Sequence, residues 1–455
     1  MVTVLQERVD DIRVLLERRD FRTLKARVRG LHPSDILDIL RELPAEFRAV
    51  LFRLLPKDQA ADVFAEMETD ERQALLNELT DETVAEILEE MAPDDRTELL
   101  EEMPASVVAR LVRLLTPEDR REAVTLLNYP PDSAGRIMTP DYMAVRPHLR
   151  AQQVLDLIRR TEFDKETIYY IYVIDEWRHL VGVFSLRELL LAEPSERVEQ
   201  FMHRNVIAVR TTDDQESVVL LMKRYDLLAM PVVDSEDRLV GIVTIDDAMD
   251  VLEEEATEDI QKMASMGPLE ESYFHTRLWT IVRKRIGWLT ALLIAENVTS
   301  RVMHEYAYLL EQFLVLAFFI PVIMGAAGNV GTQSSTLVIR GLAVGEIHPR
   351  QWWRVLLREL SSGALIGLAL ALLMAVRILW MGETWVTAVA IGVALWAVVT
   401  IAGSIGATLP ILGRLMRVDP AVMAGPLVTT IMDVLSLSLY FLTAQYFFTL
   451  WIRGP

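Results

Sequence analysis

Cysteine is missing from all 455 residues, which removes disulfides, thiolate zinc sites and cysteine nucleophiles together. Histidine is sparse, with seven scattered residues, so a soft or borderline metal site is not expected. No Gly-rich loop of the phosphate-cradling kind occurs, and neither a nucleophile–base pair nor a catalytic metal motif stands out, which makes an enzyme the least expected class. The first twenty residues, MVTVLQERVDDIRVLLERRD, are amphipathic and charged. They lack the apolar core of a secretory signal, so the first half of the chain is expected in the cytosol.

Excess positive charge is also missing, yet the chain is 51% hydrophobic at a net charge of −20. The two properties are segregated. Residues 281–455 hold eight acids against twelve Lys or Arg, a balance of +4, whereas residues 1–280 hold 58 against 34 and stand at −24. An acidic half of this kind attracts cations or a basic partner, and nucleic acid is excluded.

From residue 31 to 128 helix-start signals recur every eleven to thirteen residues, at Pro33, Pro44, Pro56, Thr69, Thr80, Pro93, Pro104 and Pro117. Proline or a Thr/Asp cap followed by acids suits a first helical turn, where unpaired N–H groups and the helix dipole favour them. The pattern predicts an α-solenoid-like superhelical stack over 1–132. Residues 138–255 then carry a duplication. MTPDYMAVR (138–146) aligns with MHRNVIAVR (202–210), and IYVIDEWRHLVGVFSLREL (171–189) with MPVVDSEDRLVGIVTIDDA (230–248). Each copy reads helix–strand–strand–helix, and the V-G-[VI]-[FV]-[ST] signature in both resembles a tandem CBS domain, divided here at 133–200 and 201–253. Residues 254–280 form a charged connecting helix that ends at Gly267-Pro268.

After Arg283-Lys284-Arg285 five apolar stretches follow, near 286–303, 312–336, 357–380, 385–411 and 424–451. Each is long enough for a hydrocarbon core that needs roughly 20 residues. Arg340, Arg350, Arg354, Arg358, Arg414 and Arg417 then fall on the cytosolic side, and Trp352, Trp353, Trp380, Trp385 and Trp451 lie at span ends. The predicted fold class is a multidomain membrane protein: a helical N-terminal domain, α/β tandem CBS domains, a connecting helix and an all-α five-helix transmembrane domain at 281–455.

Ionisable groups inside a membrane are costly unless they face a pore or a partner. Asp433 is the deepest acid of span five, one turn after Thr429 and Thr430. Oxygen donors without nitrogen or sulfur suit magnesium or calcium, and magnesium keeps several of its waters. A structural acid paired with Arg377 is the competing reading. Glu296, beside Asn297, fits packing as well as ion contact, and Glu359 is expected at the inner interface. Span two packs Gly325, Gly328 and Gly331 among Asn329, Thr332, Gln333, Ser334 and Ser335. That composition fits either tight helix packing or a wet path.

The order of these parts, with G-N-x-G-x-Q-S-S-T-L at 328–337 and D-P-A…G-P-L-V-T-T-x-x-D at 419–433, resembles the MgtE family of magnesium channels from end to end. The resemblance implies that Asp433 is the pore carboxylate for hydrated magnesium and Asn329 the polar position beside it. Some members carry Asn where this chain has Gly425. The likeness also implies that cytosolic magnesium holds the pore shut by binding Asp62, Asp94, Glu98, Asp214, Glu216, Asp226, Asp247, Asp250, Glu255, Glu258, Asp259 and Asp419. Five spans after a cytosolic N-terminal half put the C-terminus outside the cell membrane, and one candidate acid per chain predicts a homodimer with the path on its two-fold axis; the resemblance implies the same dimer and allows ATP at the CBS pair. Crowded carboxylates on facing surfaces repel when bare and draw together when divalent ions bridge them. The rival class is an ion-coupled secondary transporter of divalent cations, which also uses intramembrane acids but is built from inverted repeats, into which five spans divide poorly.

Overall fold

The computed structural model describes residues 2–160, 165–269 and 276–453. Residues 161–164 of the first repeat and 270–275 of the connecting segment lie outside the described residues, as do the side chains of 450–453, Trp451 among them. The chain divides into two compact units, Met1–Glu255 and Ala256–Pro455.

The first unit opens with ten short helices, from Val2–Glu17 to Pro117–Leu127. Their starts follow the punctuation of the sequence. Pro33, Pro93 and Pro117 sit in first turns, and Pro44, Pro56 and Pro104 are themselves the cap positions. Thr80 and Thr116 accept from the backbone N–H groups of Thr83 and Asp119. The start at Thr69 differs in one respect, because Glu68 is the cap and its N–H donates to the Glu71 carboxylate. Odd-numbered helices stack in sequence: Val2–Glu17 on Pro33–Glu42, then Lys57–Ala65, Asp81–Glu90 and Ala105–Leu114. This layering buries one continuous row of Leu, Ile and Val, with Phe52 and Phe64 edge to face at 6.3 Å.

Two three-stranded sheets follow. In one, β1 (Tyr142–Val145) runs parallel to β2 (Thr167–Ile174), which is antiparallel to β3 (Leu180–Ser185). In the other, β4 (Val209–Arg210), β5 (Ala229–Val233) and β6 (Leu239–Thr244) repeat the same order and senses. The duplicated residues lock the copies together reciprocally. Gly182 of β3 lies against Met202 and the His203 carbonyl, and Gly241 of β6 against Met138 and the Thr139 carbonyl. A Cβ at either glycine would come 2.7 Å from the methionine sulfur, closer than packed atoms tolerate. Helix Ile245–Met263 leaves β6 and passes position 254 without interruption.

The second unit contains long helices Leu278–Glu305, Val315–Ala343, Trp352–Trp380, Trp385–Leu415 and Pro426–Arg453. Among the described residues four segments are long and apolar enough to cross a membrane: Val315–Ala343, Pro349–Trp380, Trp385–Leu415 and Pro420–Thr449. Helix Leu278–Glu305, which covers the first expected span, carries Arg283, Lys284, Arg285, Glu296, Arg301 and Glu305 and falls outside that set. Helix Trp385–Leu415 is the hub that packs on Val315–Ala343, Trp352–Trp380 and Pro426–Arg453. Glycines make the closest approaches. Gly363 and Gly367, one turn apart, lie against the backbone of Thr400 and Trp396, and Gly406 abuts Gly331 so tightly that no Cβ fits. Outward-facing Leu365, Leu372, Leu373 and Val376, with Trp380 and Trp385 at helix ends, present an apolar exterior.

Candidate functional site

Two helices of the first unit bring unlike stretches of sequence together. Pro93–Glu102 supplies Asp94, Asp95, Glu98 and Glu102, and the start of Ile245–Met263 supplies Asp246, Asp247, Asp250 and Glu254. Asp95, Glu98 and Glu102 are spaced i, i+3, i+7, and Asp246, Asp250 and Glu254 are spaced i, i+4, i+8, so each set lines one helical face. The carboxylates act on one another across the gap. Burial, then the charge of Asp247, pushes Asp94 well above the usual carboxylate range. Asp95 is pushed up to about 7 by burial and then by Glu98 and Glu166. Asp247 is pushed up to about 7 by burial, against the hydrogen bonds it accepts from Thr244. Glu254 is pushed up to about 7 by burial and then by Glu98, Glu102 and Asp250. Glu98 is raised by burial, and so are Glu166 and Asp250, next through Asp246.

The compensation is thin. Buried Arg72 donates to Glu98 at 3.1 Å and Glu102 at 3.0 Å. Asp94 is 8% exposed, and its Oδ1 has no hydrogen-bond partner. A surface this rich in like charge is stable only with protons or cations between its halves. Among the described residues no three such side chains converge closely enough to grip a bare metal ion. Facing carboxylates set further apart suit an ion that keeps its waters.

The sequence singles out Asp94, Glu98, Asp247 and Asp250 here but misses Asp95, Glu102, Glu166, Asp246 and Glu254. Their helical spacing was readable; which face met which was not. Asp62 lies on Lys57–Ala65, where partial desolvation and then the charges of Asp58 and Glu66 raise its carboxyl. Asp214 caps helix Gln215–Tyr225 by accepting from the Ser217 N–H, and Asp226 ends that helix at a left-handed φ of 53°. Both residues thus have roles that need no ion. Glu216 lies in the helix's first turn, and Glu255 accepts from Gln215 Nε2 at 3.1 Å.

The remaining three expected residues meet in the second unit. Lys262 Nζ lies 2.8 Å from Glu258 and 2.8 Å from Asp419, and Asp259 is raised by burial and then by Asp419. Beside them Gly425 adopts φ +51° and sits against the Met263 carbonyl with no room for a Cβ. Glycine here therefore answers a backbone demand.

Within the apolar segments, Gly325, Asn329, Gln333, Thr336 and Arg340 are exposed at helical spacing on Val315–Ala343. An amide and hydroxyl stripe facing hydrocarbon is unfavourable, so it requires water or a partner surface. Gly328 packs on Thr429, and Gly331 on Val428 and Met432, which brings this helix against Pro426–Arg453. Asp433, half-buried, lies one turn beyond Thr429. Among the described residues no ion pair joins Asp433 to Arg377, and no hydrogen bond joins it to Asn329. The Asp433 carboxyl is instead within hydrogen-bonding reach of Glu296. Glu359, half-buried, accepts from Ser334 Oγ at 2.6 Å.

A helical repeat domain and a doubled CBS module attached to several apolar helices define a multi-pass membrane protein with intracellular regulatory domains. Residues 320–443 match the family model described as "Divalent cation transporter", 31–132 the MgtE intracellular N domain, and 134–195 and 198–254 the CBS domain. The chain is 42% identical to the magnesium transporter MgtE of Thermus thermophilus over 94% of its own length and 96% of that protein's. It is 39% identical to the Bacillus subtilis protein of that name over 71% of each. The chain belongs to the MgtE family, which is a family of transporters and not of enzymes. Among solved structures it is similar to the cytosolic domain of the Mg2+ channel MgtE in complex with ATP, at 43% identity and TM-score 0.52, covering 53% of this chain and 99% of that one. The soluble part of a magnesium transporter matches at 31% identity and TM-score 0.53, covering 55% and 99%.

Proposed function

We propose that this chain is a magnesium-selective channel of the cell membrane that serves magnesium homeostasis and is shut by the ion it admits. Hydrated Mg2+ is the substrate, passing Asp433 and the Asn329 stripe at the two-fold axis of a homodimer. Its N-terminal domains lie in the cytosol and its C-terminus outside. The exposed polar stripe supports the dimer, since one chain leaves amides and hydroxyls facing lipid. Relatives named magnesium transporters support the cargo.

The observation that carries the regulatory reading is the pair of acidic helices, Pro93–Glu102 and Ile245–Met263, on which buried Arg72 pairs with Glu98 and Glu102 while burial and like charge push Asp94 and Glu254 up. Cytosolic Mg2+ between them replaces repulsion with bridging and selects the closed arrangement. Asp62, Asp94, Glu98, Asp214, Glu216, Asp226, Asp247, Asp250, Glu255, Glu258, Asp259 and Asp419 are the proposed sensor set. ATP is proposed for the CBS module, where a cavity of about 480 Å3 is lined by Tyr170, Phe184, Ser185, Arg187, Glu188 and His203. It offers aromatic rings for a base and a cation for phosphate.

The test is flux. In liposomes holding the purified chain, Mg2+ entry should proceed at low internal Mg2+ and stop as internal Mg2+ rises, without a proton or sodium gradient. Flux that follows either gradient would establish the coupled-transporter reading. Flux indifferent to internal Mg2+ would remove the sensor.

A further inference from the structure

Two helices of the membrane unit, Leu278–Glu305 and Pro426–Arg453, pack together. Each presents one carboxyl group to the other, and those of Glu296 and Asp433 lie within hydrogen-bonding reach. Among the described residues neither side chain meets a Lys, Arg or His, and neither accepts from a hydroxyl or an amide. Three residues further along each helix comes a buried hydroxyl. Ser436, 3% exposed, is satisfied by the Asp433 carbonyl. Thr299, 5% exposed, has no partner for its Oγ1 and shares the helical face of Glu296.

Two carboxylates in contact at membrane depth repel with no high-dielectric solvent to screen them. An arrangement built for structure would put a donor between them, as Ser334 does for Glu359. Here, among the described residues, the polar supply is oxygen alone, two carboxylates and an unsatisfied hydroxyl on two adjacent helices. That is the ligand chemistry of a hard divalent cation, and two negative charges balance its charge of two.

We propose that Glu296 is a second carboxylate of the ion path, holding the divalent cation jointly with Asp433 and with Thr299 as a third oxygen donor. Leu278–Glu305 is then a wall of the path and not only a lipid-facing helix. The inference rests on the pore reading of Asp433, and the following experiments separate the two.

In liposomes, E296Q keeps the shape of the side chain and removes its charge. Half-saturating Mg2+ should rise about tenfold or more, since a divalent ion loses one of two adjacent counter-charges, and discrimination between Mg2+ and Ca2+ should change. E296D should recover part of the affinity. A drop in maximal flux at the parent's half-saturation and selectivity would mean that Glu296 only packs, and would overturn the proposal. The number of Mn2+ ions bound by the full chain in detergent, read by electron paramagnetic resonance, tests the pair apart from transport. E296Q and D433N should each lose the same bound ion, and retention of that ion in E296Q would overturn the pair whatever the flux. A parent that binds this ion yet passes none would sink the pore reading and leave the pair standing.

Discussion

Arg72 shows how much one side chain can decide. It is 6% exposed, donates to Glu98 and Glu102, and also reaches the Ala65 carbonyl. Replacing it with methionine removes the counter-charge of Glu98 and Glu102, and because water reaches both acids the cost falls below the figure of about 3–5 kcal/mol for a fully buried pair. The melting temperature of R72M in metal-free buffer should fall, and added Mg2+ should restore more of it than in the parent; equal Mg2+ responses would show that no ion stands in for the guanidinium. The titrating carboxylates follow the opposite logic to a salt-bridged acid. Asp95, Asp247 and Glu254 sit near 7 in the folded unit against about 4 in an unfolded chain. The folded unit therefore holds more protons between those values, and its stability is full below about 4 and declines as pH rises to about 7. Protons and Mg2+ compete for the same oxygens, so calorimetric Mg2+ affinity should weaken as pH is lowered from 8 to 6. An affinity flat over that range would show that these groups do not meet the ion.

At the level of elements, the periodic Pro and Thr signals located the short helices because a cap is a local event, settled by the few N–H groups it satisfies. The doubled Met…Gly pattern was equally visible, but not that Gly182 meets Met202 and Gly241 meets Met138, which is a contact between copies. Gly241→Val should destabilise the CBS module by about 1–3 kcal/mol through overpacking, seen as an earlier thermal transition, while Gly30→Val, where nothing lies within 4 Å, should not. The long helices were recognised by hydropathy, and Leu278–Glu305 reads least clearly because its charged entry dilutes the apolar run. The helix-to-helix fit could not be read. Gly363→Leu together with Gly367→Leu should pry Trp352–Trp380 from Trp385–Leu415, detected as aggregation on size exclusion at a temperature the parent survives.

Across the whole molecule, the segregation of −24 and +4 between its two halves already separates a strongly acidic part from a membrane part. Hydrogen exchange is the suitable global readout. Mg2+ should slow exchange in Pro93–Glu102 and the start of Ile245–Met263 while leaving Val2–Glu17 unchanged, and uniform protection would argue for general screening instead of bridging.

What the sequence determined alone was whatever depends on neighbours along the chain: helix starts, strand alternation, span length, charge balance and the signatures that mark the family. Tertiary structure decided which acids face each other, that Asp433 meets Glu296 and not Arg377, and that Glu359 turns to Ser334. The reason is physical. Propensity and capping act over a few residues, whereas the energy of a buried charge depends on everything packed around it, and those partners come from distant parts of the chain.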